Sequence, residues 1–169
     1  MGGLPRLNDL PAAEARAELL RCCGSSRWVK AMLARRPIAD AATLFAAADE
    51  VWWSLEPAEW REAFAHHPRI GDRDSLRARF ATTAQWAAGE QAGVDEAAEE
   101  LLASLAEANQ AYEERFGYIF IVCATGKSAE EMLALLLARL PHPPQEEIRI
   151  AAGEQARITR LRLEKLLSP

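Results

Sequence analysis

The clearest periodic stretch of the chain reads DEAAEELLASLAEANQAYEERFG and covers residues 95–117. Asp95 suits a helix N-cap, and Gly117 suits the position just after a helix end. Apolar residues recur every three or four positions between them, which is the spacing of one helix face. They are Leu101, Leu105, Ala108, Tyr112 and Phe116. The stretch therefore predicts a long amphipathic helix, and an all-α protein if the rest of the chain agrees.

The flanking sequence favours helix as well, because Ala, Leu, Glu and Arg dominate it. Caps, prolines and glycines divide it into further helices. The predicted segments are about Asp9–Cys23, Trp28–Arg35, Asp40–Trp53, Pro57–His66, Ser128–Leu140 and Pro144 to near the C-terminus. We therefore predict a single all-α domain of seven or eight helices over residues 1–169, with tryptophans such as Trp52, Trp53, Trp60 and Trp86 in its core.

One segment does not fit the helical pattern. Residues 118–122 read YIFIV, a run of β-branched and aromatic residues for which no partner strand exists elsewhere. We predict a buried segment that is either extended or irregularly helical.

Composition and charge exclude several classes of protein. The net charge of -5 argues against a nucleic-acid surface. Three cysteines without a CxxC pair fit neither a disulfide scaffold nor a thiolate zinc site. The N-terminal residues MGGLPRLNDLP lack the apolar core of a signal peptide, so none is expected, and no apolar run reaches roughly 20 residues, the length of a membrane span. A cytoplasmic protein that does not bind membranes is expected.

The first candidate for chemistry is the pair His66-His67, followed by Pro68. A residue before proline is disfavoured in helical conformation, so His67 should lie just beyond a helix end. Histidine titrates near neutral pH and suits general acid–base catalysis. The alternative is two surface histidines stabilised by a helix C-terminus. A metal site is not expected, because adjacent extended residues point apart.

A second candidate is Glu90, which lies between Gly89 and Gly93. Glycines allow close approach of the backbone to a ligand. The alternative is an ordinary solvated loop glutamate.

Residues 125–128 read TGKS and resemble the end of a phosphate-binding loop. The full motif requires glycine where Ile121 stands, so a nucleotide site is not expected. The simpler interpretation is that Ser128 caps the following helix.

The last helix contains one arginine unlike its neighbours. Arg157 has Glu154 three residues before it, and Arg160 has Glu164 four residues after it. Arg162 has no acid at these spacings and lies along an apolar row. It either meets an anion or extends along that row to water. Asn109, on the apolar face of the long helix, likewise needs a structural or ligand partner.

Taken together, these motifs resemble those of one enzyme family. The chain contains HHPRIGD at 66–72, GEQAGV at 89–94, Asn109 before FGYIFIVCATGKS at 116–128, and RITRLRLEKL at 157–166. Their order and spacing are similar to those of the 2-oxo-4-hydroxy-4-carboxy-5-ureidoimidazoline (OHCU) decarboxylase family. The resemblance covers the chain from Arg35 onward.

The resemblance implies an all-α, homodimeric enzyme without a cofactor or metal, which acts on a small anionic ureidoimidazoline. The reaction yields (S)-allantoin and follows urate oxidase and hydroxyisourate hydrolase in urate breakdown. By matching position, the catalytic residues are His67, Glu90 and Arg162. The implied substrate-contacting residues are Pro68, Gln91, Phe120, Ile121, Val122, Cys123 and Ala124. Ala87 departs from the pattern, where serine is frequent, so one substrate hydrogen bond is missing or replaced.

Two other functions remain open from the residues alone. A helical interaction or regulatory module would use Asn109 and Arg162 at an interface and would show no turnover. An NTP-dependent enzyme would use the TGKS segment, against which Ile121 argues.

Overall fold

The computed structural model of the chain describes residues 3–68, 73–80 and 91–169. Within these ranges the chain forms helices and contains no β-strand, which confirms the all-α class. The helices are α1 (Leu4–Asp9), α2 (Ala12–Cys22), α3 (Ser26–Ala34), α4 (Ala41–Trp53), α5 (Pro57–Ala65), α6 (Arg73–Phe80), α7 (Gln91–Phe116), α8 (Ala129–Arg139) and α9 (Pro144–Leu167).

Nine helices occupy the described residues, one or two more than predicted, and some begin elsewhere than expected. Asp9 ends the short helix α1, and Pro11 rather than Asp9 is the N-cap of α2. Asp95 lies inside α7, which begins four residues earlier at Gln91. A capping residue permits a helix to start but does not require it, so these starts were not decided by side-chain type alone.

Other predicted helix ends are confirmed. The Asp40 side chain accepts a hydrogen bond of 2.7 Å from the Thr43 amide at the start of α4. Gly117 follows α7 with a φ of 81°, in the left-handed region that glycine tolerates. Its amide donates to the carbonyl of Glu113 at 2.8 Å and so satisfies one of the last carbonyls of the helix.

The described chain divides into two compact units. Unit 1 comprises Met1–His67, Ile121–Cys123 and Ile148–Pro169, and unit 2 comprises Pro68–Phe120 and Ala124–Glu147. Residues 118–122 form neither helix nor strand, so the irregular helical alternative for this segment is wrong.

Buried tryptophans connect the helices of unit 1. The indole N–H of Trp28 donates to the carbonyl of Ala48 at 3.1 Å, and that of Trp52 donates to Ala152 at 2.9 Å. These bonds tie α3 to α4 and α4 to α9. The core prediction is wrong for Trp53, whose surface is 47% exposed, and Trp86 lies outside the described residues.

Unit 2 is organised around the amphipathic face of α7. Leu76, Leu102, Leu105 and Ala129 form one buried cluster. Farther along the helix, the ring of Tyr112 packs against those of Phe116, Tyr118 and Phe120.

A buried charged group lies beside these rings. Glu147 is completely buried and accepts hydrogen bonds from the hydroxyl of Tyr112 and from Nε of Arg139 at 2.9 Å. Its second oxygen lies 3.1 Å from Nδ1 of His142. We call these four residues the Glu147 cluster; it places His142 in a structural role.

None of the helices, as far as the structure describes them, combines the length and the apolar character required to cross a membrane.

Candidate active site

His67 lies where the sequence predicts it, just after the end of α5. The helix stops at Ala65, and His66 is its C-cap. The amide of His67 donates to the carbonyl of Phe64 at 3.2 Å, which holds the residue against the last turn. Pro68, which follows, cannot continue the helix and is exposed.

Helix α5 is itself anchored to α3. One carboxylate oxygen of Glu62 accepts from the amide of Ser26 at 2.7 Å, and the other accepts from its hydroxyl at 2.8 Å. Glu62 therefore binds the N-terminus of α3, where a negative charge is favoured. Arg27 adds an ion pair of 2.7 Å with Glu59. These contacts fix the helix that carries His67.

The two adjacent histidines have different surroundings. His66 is exposed, and its side chain packs over Gly24. A Cβ atom at Gly24 would lie 2.3 Å from Cγ of His66, so only glycine leaves room for this ring. His66 is thus a packing neighbour, which leaves His67 as the candidate for proton transfer.

His67 is half-buried, and its Nε2 contacts Oε1 of Gln155 on α9. Burial lowers the pKa of His67 below its ordinary value, and the neighbouring Arg162 guanidinium and His66 side chain lower it further. The Gln155 contact opposes this by raising the pKa. The balance favours a neutral imidazole at neutral pH, the form that can accept a proton.

Arg162 is half-buried on α9 and interacts with the end of α2. Its Nη1 donates to the carbonyl of Arg21 at 3.2 Å, at a helix C-terminus that favours a positive charge. Arg157 and Arg160 form the predicted ion pairs with Glu154 and Glu164, at 3.2 and 3.1 Å.

No carboxylate in the described part of the chain forms an ion pair with Arg162. Its charge nevertheless lowers the pKa of His67, so unit 1 brings two of the three predicted catalytic residues into electrostatic contact.

The predicted substrate-contacting segment is divided between the units. Ile121 is buried, and Val122 and Cys123 are half-buried in unit 1, which also contains His67 and Arg162. Ala124, in unit 2, is half-buried too.

Phe120 belongs to unit 2. Its ring packs edge-on against Tyr112, with 5.1 Å between centroids, and lies 4.4 Å below the guanidinium of Arg139.

Glu90 and Gln91 complete the set of predicted site residues. Glu90 lies outside the described residues, as does Ala87. Gln91 is the first residue of α7, and only its place in the helix is described.

Ser128 and Asn109, for which the sequence left both a structural and a ligand-binding role open, each have a structural partner. The hydroxyl of Ser128 accepts from the Glu131 amide at 3.0 Å and caps α8, as the simpler interpretation of TGKS predicted. Asn109 donates to the carbonyl of Leu105 at 2.9 Å, one turn back along α7. A structural partner therefore satisfies this polar side chain.

Cys22 and Cys23 are buried, which disfavours their thiolate forms. Burial raises the pKa of Cys22 to about 12 and that of Cys23 to about 11. Since the thiolate is the reactive form, neither thiol suits nucleophilic chemistry. In the ranges that the structure covers, no group of three or more His, Cys, Asp or Glu side chains could hold a metal ion.

Sequence reasoning missed Gln155 and Thr159. Both are buried, and together with Arg162 they follow a spacing of four and three residues along α9. Polar residues at this spacing share a helix face, which is the signal that could have indicated a polar lining.

Comparison with known proteins supports the motif resemblance. The sequence model of the family described as OHCU decarboxylase matches residues 8–164. The chain belongs to the OHCU decarboxylase family.

Curated members of this family are similar over most of the chain. The uric acid degradation bifunctional protein TTL of Arabidopsis thaliana is 36% identical over 148 residues, which are 87% of this chain and 45% of that protein. The chain therefore spans less than half the length of this relative. The 2-oxo-4-hydroxy-4-carboxy-5-ureidoimidazoline decarboxylase of Amia calva is 34% identical over 78% of this chain and 75% of that protein.

Solved structures agree. A crystal structure of an OHCU decarboxylase in the presence of (S)-allantoin has a TM-score of 0.72 and 36% identity, and the match covers 90% of this chain and 98% of that one. An (S)-allantoin synthase shares the fold, with a TM-score of 0.69 at 20% identity over 99% of this chain and 54% of that one.

Proposed function

We propose that this chain decarboxylates 2-oxo-4-hydroxy-4-carboxy-5-ureidoimidazoline to (S)-allantoin and CO2 in urate degradation. The family match over residues 8–164 supports the reaction class. The observation that carries the proposal is local: a half-buried histidine of lowered pKa lies within the electrostatic reach of Arg162.

The reaction requires a proton and a group that accepts the electron pair released when the bond to the carboxylate breaks. The bond between ring carbon C4 and the carboxylate carbon breaks, CO2 leaves, and the bonding pair forms an enol-like C4–C5 double bond, while the C5–N double bond of the ring gives its pair to that nitrogen, which takes up a proton. The hydroxyl on C4 then loses its proton as C5 gains one, which leaves the carbonyl of allantoin. One proton is taken up overall. Because the conjugated ring holds the electron pair, we propose that no cofactor or metal is needed.

His67 is the proposed proton carrier. A neutral imidazole can take the proton of the C4 hydroxyl and return a proton to one face of C5, which would set the handedness of the product. Its position after α5 is held by backbone hydrogen bonding rather than by a flexible loop. A fixed donor gives a stereospecific product because the proton reaches only one face.

The other predicted residues take complementary roles. Arg162 would bind an oxyanion or ureido group, Glu90 would orient the C4 hydroxyl and polarise His67, and Gln91 would contact the substrate. Pro68 and residues 120–124 would line the site, and the backbone N–H groups of 121–124 would donate hydrogen bonds to ring groups. A tight grip of Arg162 on the departing carboxylate would stabilise the ground state and slow the reaction, so we place its main contact on other oxygens.

The remaining family expectations complete the proposal. Residues 1–169 would act as one decarboxylase domain, forming a homodimer in the cytoplasm. The partner would be the small anionic substrate, with neither nucleic acid nor membrane involved. Light scattering of the purified chain would test the dimer.

A coupled assay tests the reaction. Urate oxidase, hydroxyisourate hydrolase and urate generate the substrate, and circular dichroism follows chiral allantoin with and without the protein. We expect faster conversion and a single enantiomer. A rate equal to the spontaneous one, with racemic product, would refute the proposal and favour the helical interaction module.

A further inference from the structure

Gln155 is a fully buried polar residue that the reaction scheme above does not use. Its amide is engaged at both ends: Nε2 donates to Oγ1 of Thr159 at 3.0 Å, and Oε1 contacts Nε2 of His67. All three residues belong to unit 1. A buried amide with both ends bonded has one orientation, which determines what it offers to its neighbours.

Thr159 decides which way this amide points. Its Oγ1 accepts the hydrogen bond from Nε2 of Gln155 at 3.0 Å, so the nitrogen end of the amide faces Thr159. The carbonyl oxygen of Gln155 then faces His67.

A carbonyl oxygen can only accept a hydrogen bond, so the His67 nitrogen that contacts it must carry a proton. In a neutral imidazole the other nitrogen then carries the lone pair. We infer that Gln155 is a positioning residue that holds neutral His67 with its proton on Nε2, which makes Nδ1 the atom that exchanges protons with the substrate. This inference rests on the proposed role of His67.

The same geometry predicts how substitutions at Gln155 change the pKa of His67. Accepting from Nε2–H stabilises the imidazolium form, so the loss of this acceptor in Gln155→Leu should lower the pKa further. The carboxylate of Gln155→Glu should raise it. The titratable or charged groups that act on His67 are His66 beside it and Arg162 on α9, and both remain in every variant. We therefore expect the pKa of His67 to be lowest in Gln155→Leu, intermediate in the wild type and highest in Gln155→Glu.

Nitrogen NMR of the histidine-labelled protein tests the tautomer without any substitution at Gln155. The His67 signals are assigned by their absence from His67→Asn. At neutral pH we expect Nε2 protonated and Nδ1 unprotonated. The opposite tautomer, or an equal mixture of the two, would overturn the inference. This spectrum does not depend on turnover, so it remains decisive if the protein fails to decarboxylate.

Kinetics and matched variants give a second test. Gln155→Leu should lower kcat by about 10–100-fold, the loss seen when the partner that fixes a metal-bound histidine is removed. KM should change little, because Gln155 would not touch the substrate. Gln155→Glu keeps an acceptor and should restore the tautomer and part of kcat.

Thr159→Val removes the atom that orients the amide, whereas Thr159→Ser keeps it. We expect mixed tautomers only in the valine variant. Wild-type tautomer and kcat in both Gln155→Leu and Thr159→Val would show that Gln155 merely packs.

Discussion

Each compact unit contains a buried polar network. The two networks differ in charge and in whether all of their members are enclosed by protein. In unit 2, the carboxylate of Glu147 is completely buried and receives hydrogen bonds from Tyr112 and Arg139, with His142 at its second oxygen. The guanidinium of Arg139 is also buried. The charges of the Glu147 cluster are therefore compensated inside the protein.

The network of unit 1 runs from Thr159 through Gln155 to His67. Its buried members are uncharged, and its last member is half-buried rather than enclosed. The nearby charge of Arg162 lowers the pKa of His67 and is not cancelled by a carboxylate among the described residues.

The difference indicates which network serves stability and which serves function. A compensated buried ion pair has no binding capacity left, and its loss mainly destabilises the fold. An uncharged hydrogen-bonded network that ends in a partly exposed histidine, with an arginine nearby that forms no ion pair among the described residues, can bind an anionic substrate and exchange protons with it. Substitutions in the network of Thr159, Gln155 and His67 should thus affect turnover more than stability, and those in the Glu147 cluster the reverse.

The largest effect is expected from His67→Asn. Loss of the proton carrier should lower kcat by about 10²–10⁴-fold, the usual contribution of general acid–base catalysis. Thermal unfolding should stay near that of the wild type, because the side chain is only half-buried. The coupled assay and calorimetry measure the two effects. His66→Asn is the matched control and should retain turnover; equal rates in both variants would remove His67 from the mechanism.

Glu147→Gln should give the largest loss of stability. The change keeps the shape of the side chain but leaves the buried guanidinium of Arg139 without its anion, which costs about 3–5 kcal/mol. Urea unfolding measures the free energy. Glu164→Gln makes the same change in an exposed ion pair and should have a far smaller effect. Similar losses in both variants would contradict the assignment of the Glu147 cluster to stability.

Arg162→Lys should reduce kcat/KM while the fold persists. An ammonium cannot reproduce the planar fork of a guanidinium, and loss of one charge-assisted hydrogen bond costs about 1.5–3 kcal/mol. Steady-state kinetics check this, with Arg160→Lys on the same helix as the control. Unchanged kinetics in Arg162→Lys would indicate that Arg162 serves only to hold the end of α2.

Gly24→Ala tests the packing that supports the histidines. The added methyl group would collide with His66, and overpacking of this kind costs about 1–3 kcal/mol. A smaller fall in kcat should accompany it, because the end of α5 must shift. Gly153→Ala, in an open part of α9, should instead be neutral or stabilising by up to about 1 kcal/mol. Equal stability of the two variants would argue against the tight contact at Gly24.

The sequence predicted the helices well, but it predicted poorly which side chains are buried and which distant residues they contact. Gly117 and Ser128 were recognised because caps and stops act within a few residues of the chain. The exposure of Trp53 was missed, because its helical pattern does not distinguish it from buried Trp52. Arg162 could be singled out because its possible ion-pair partners on the same helix are readable from spacing. Gln155 could not, because its partner lies 88 residues away.

The sequence by itself determined the all-α class, most helix ends, the family resemblance and the distinction between Arg162 and its paired neighbours. These properties depend on interactions between residues close in the chain, or on motifs read directly. Only the tertiary structure decided that Gln155 meets His67, that Arg162 meets the end of α2 across 141 residues, and that Glu147 is buried with its charge matched. Burial and long-range hydrogen bonds set pKa values and orientations, and they exist only once distant segments have packed together.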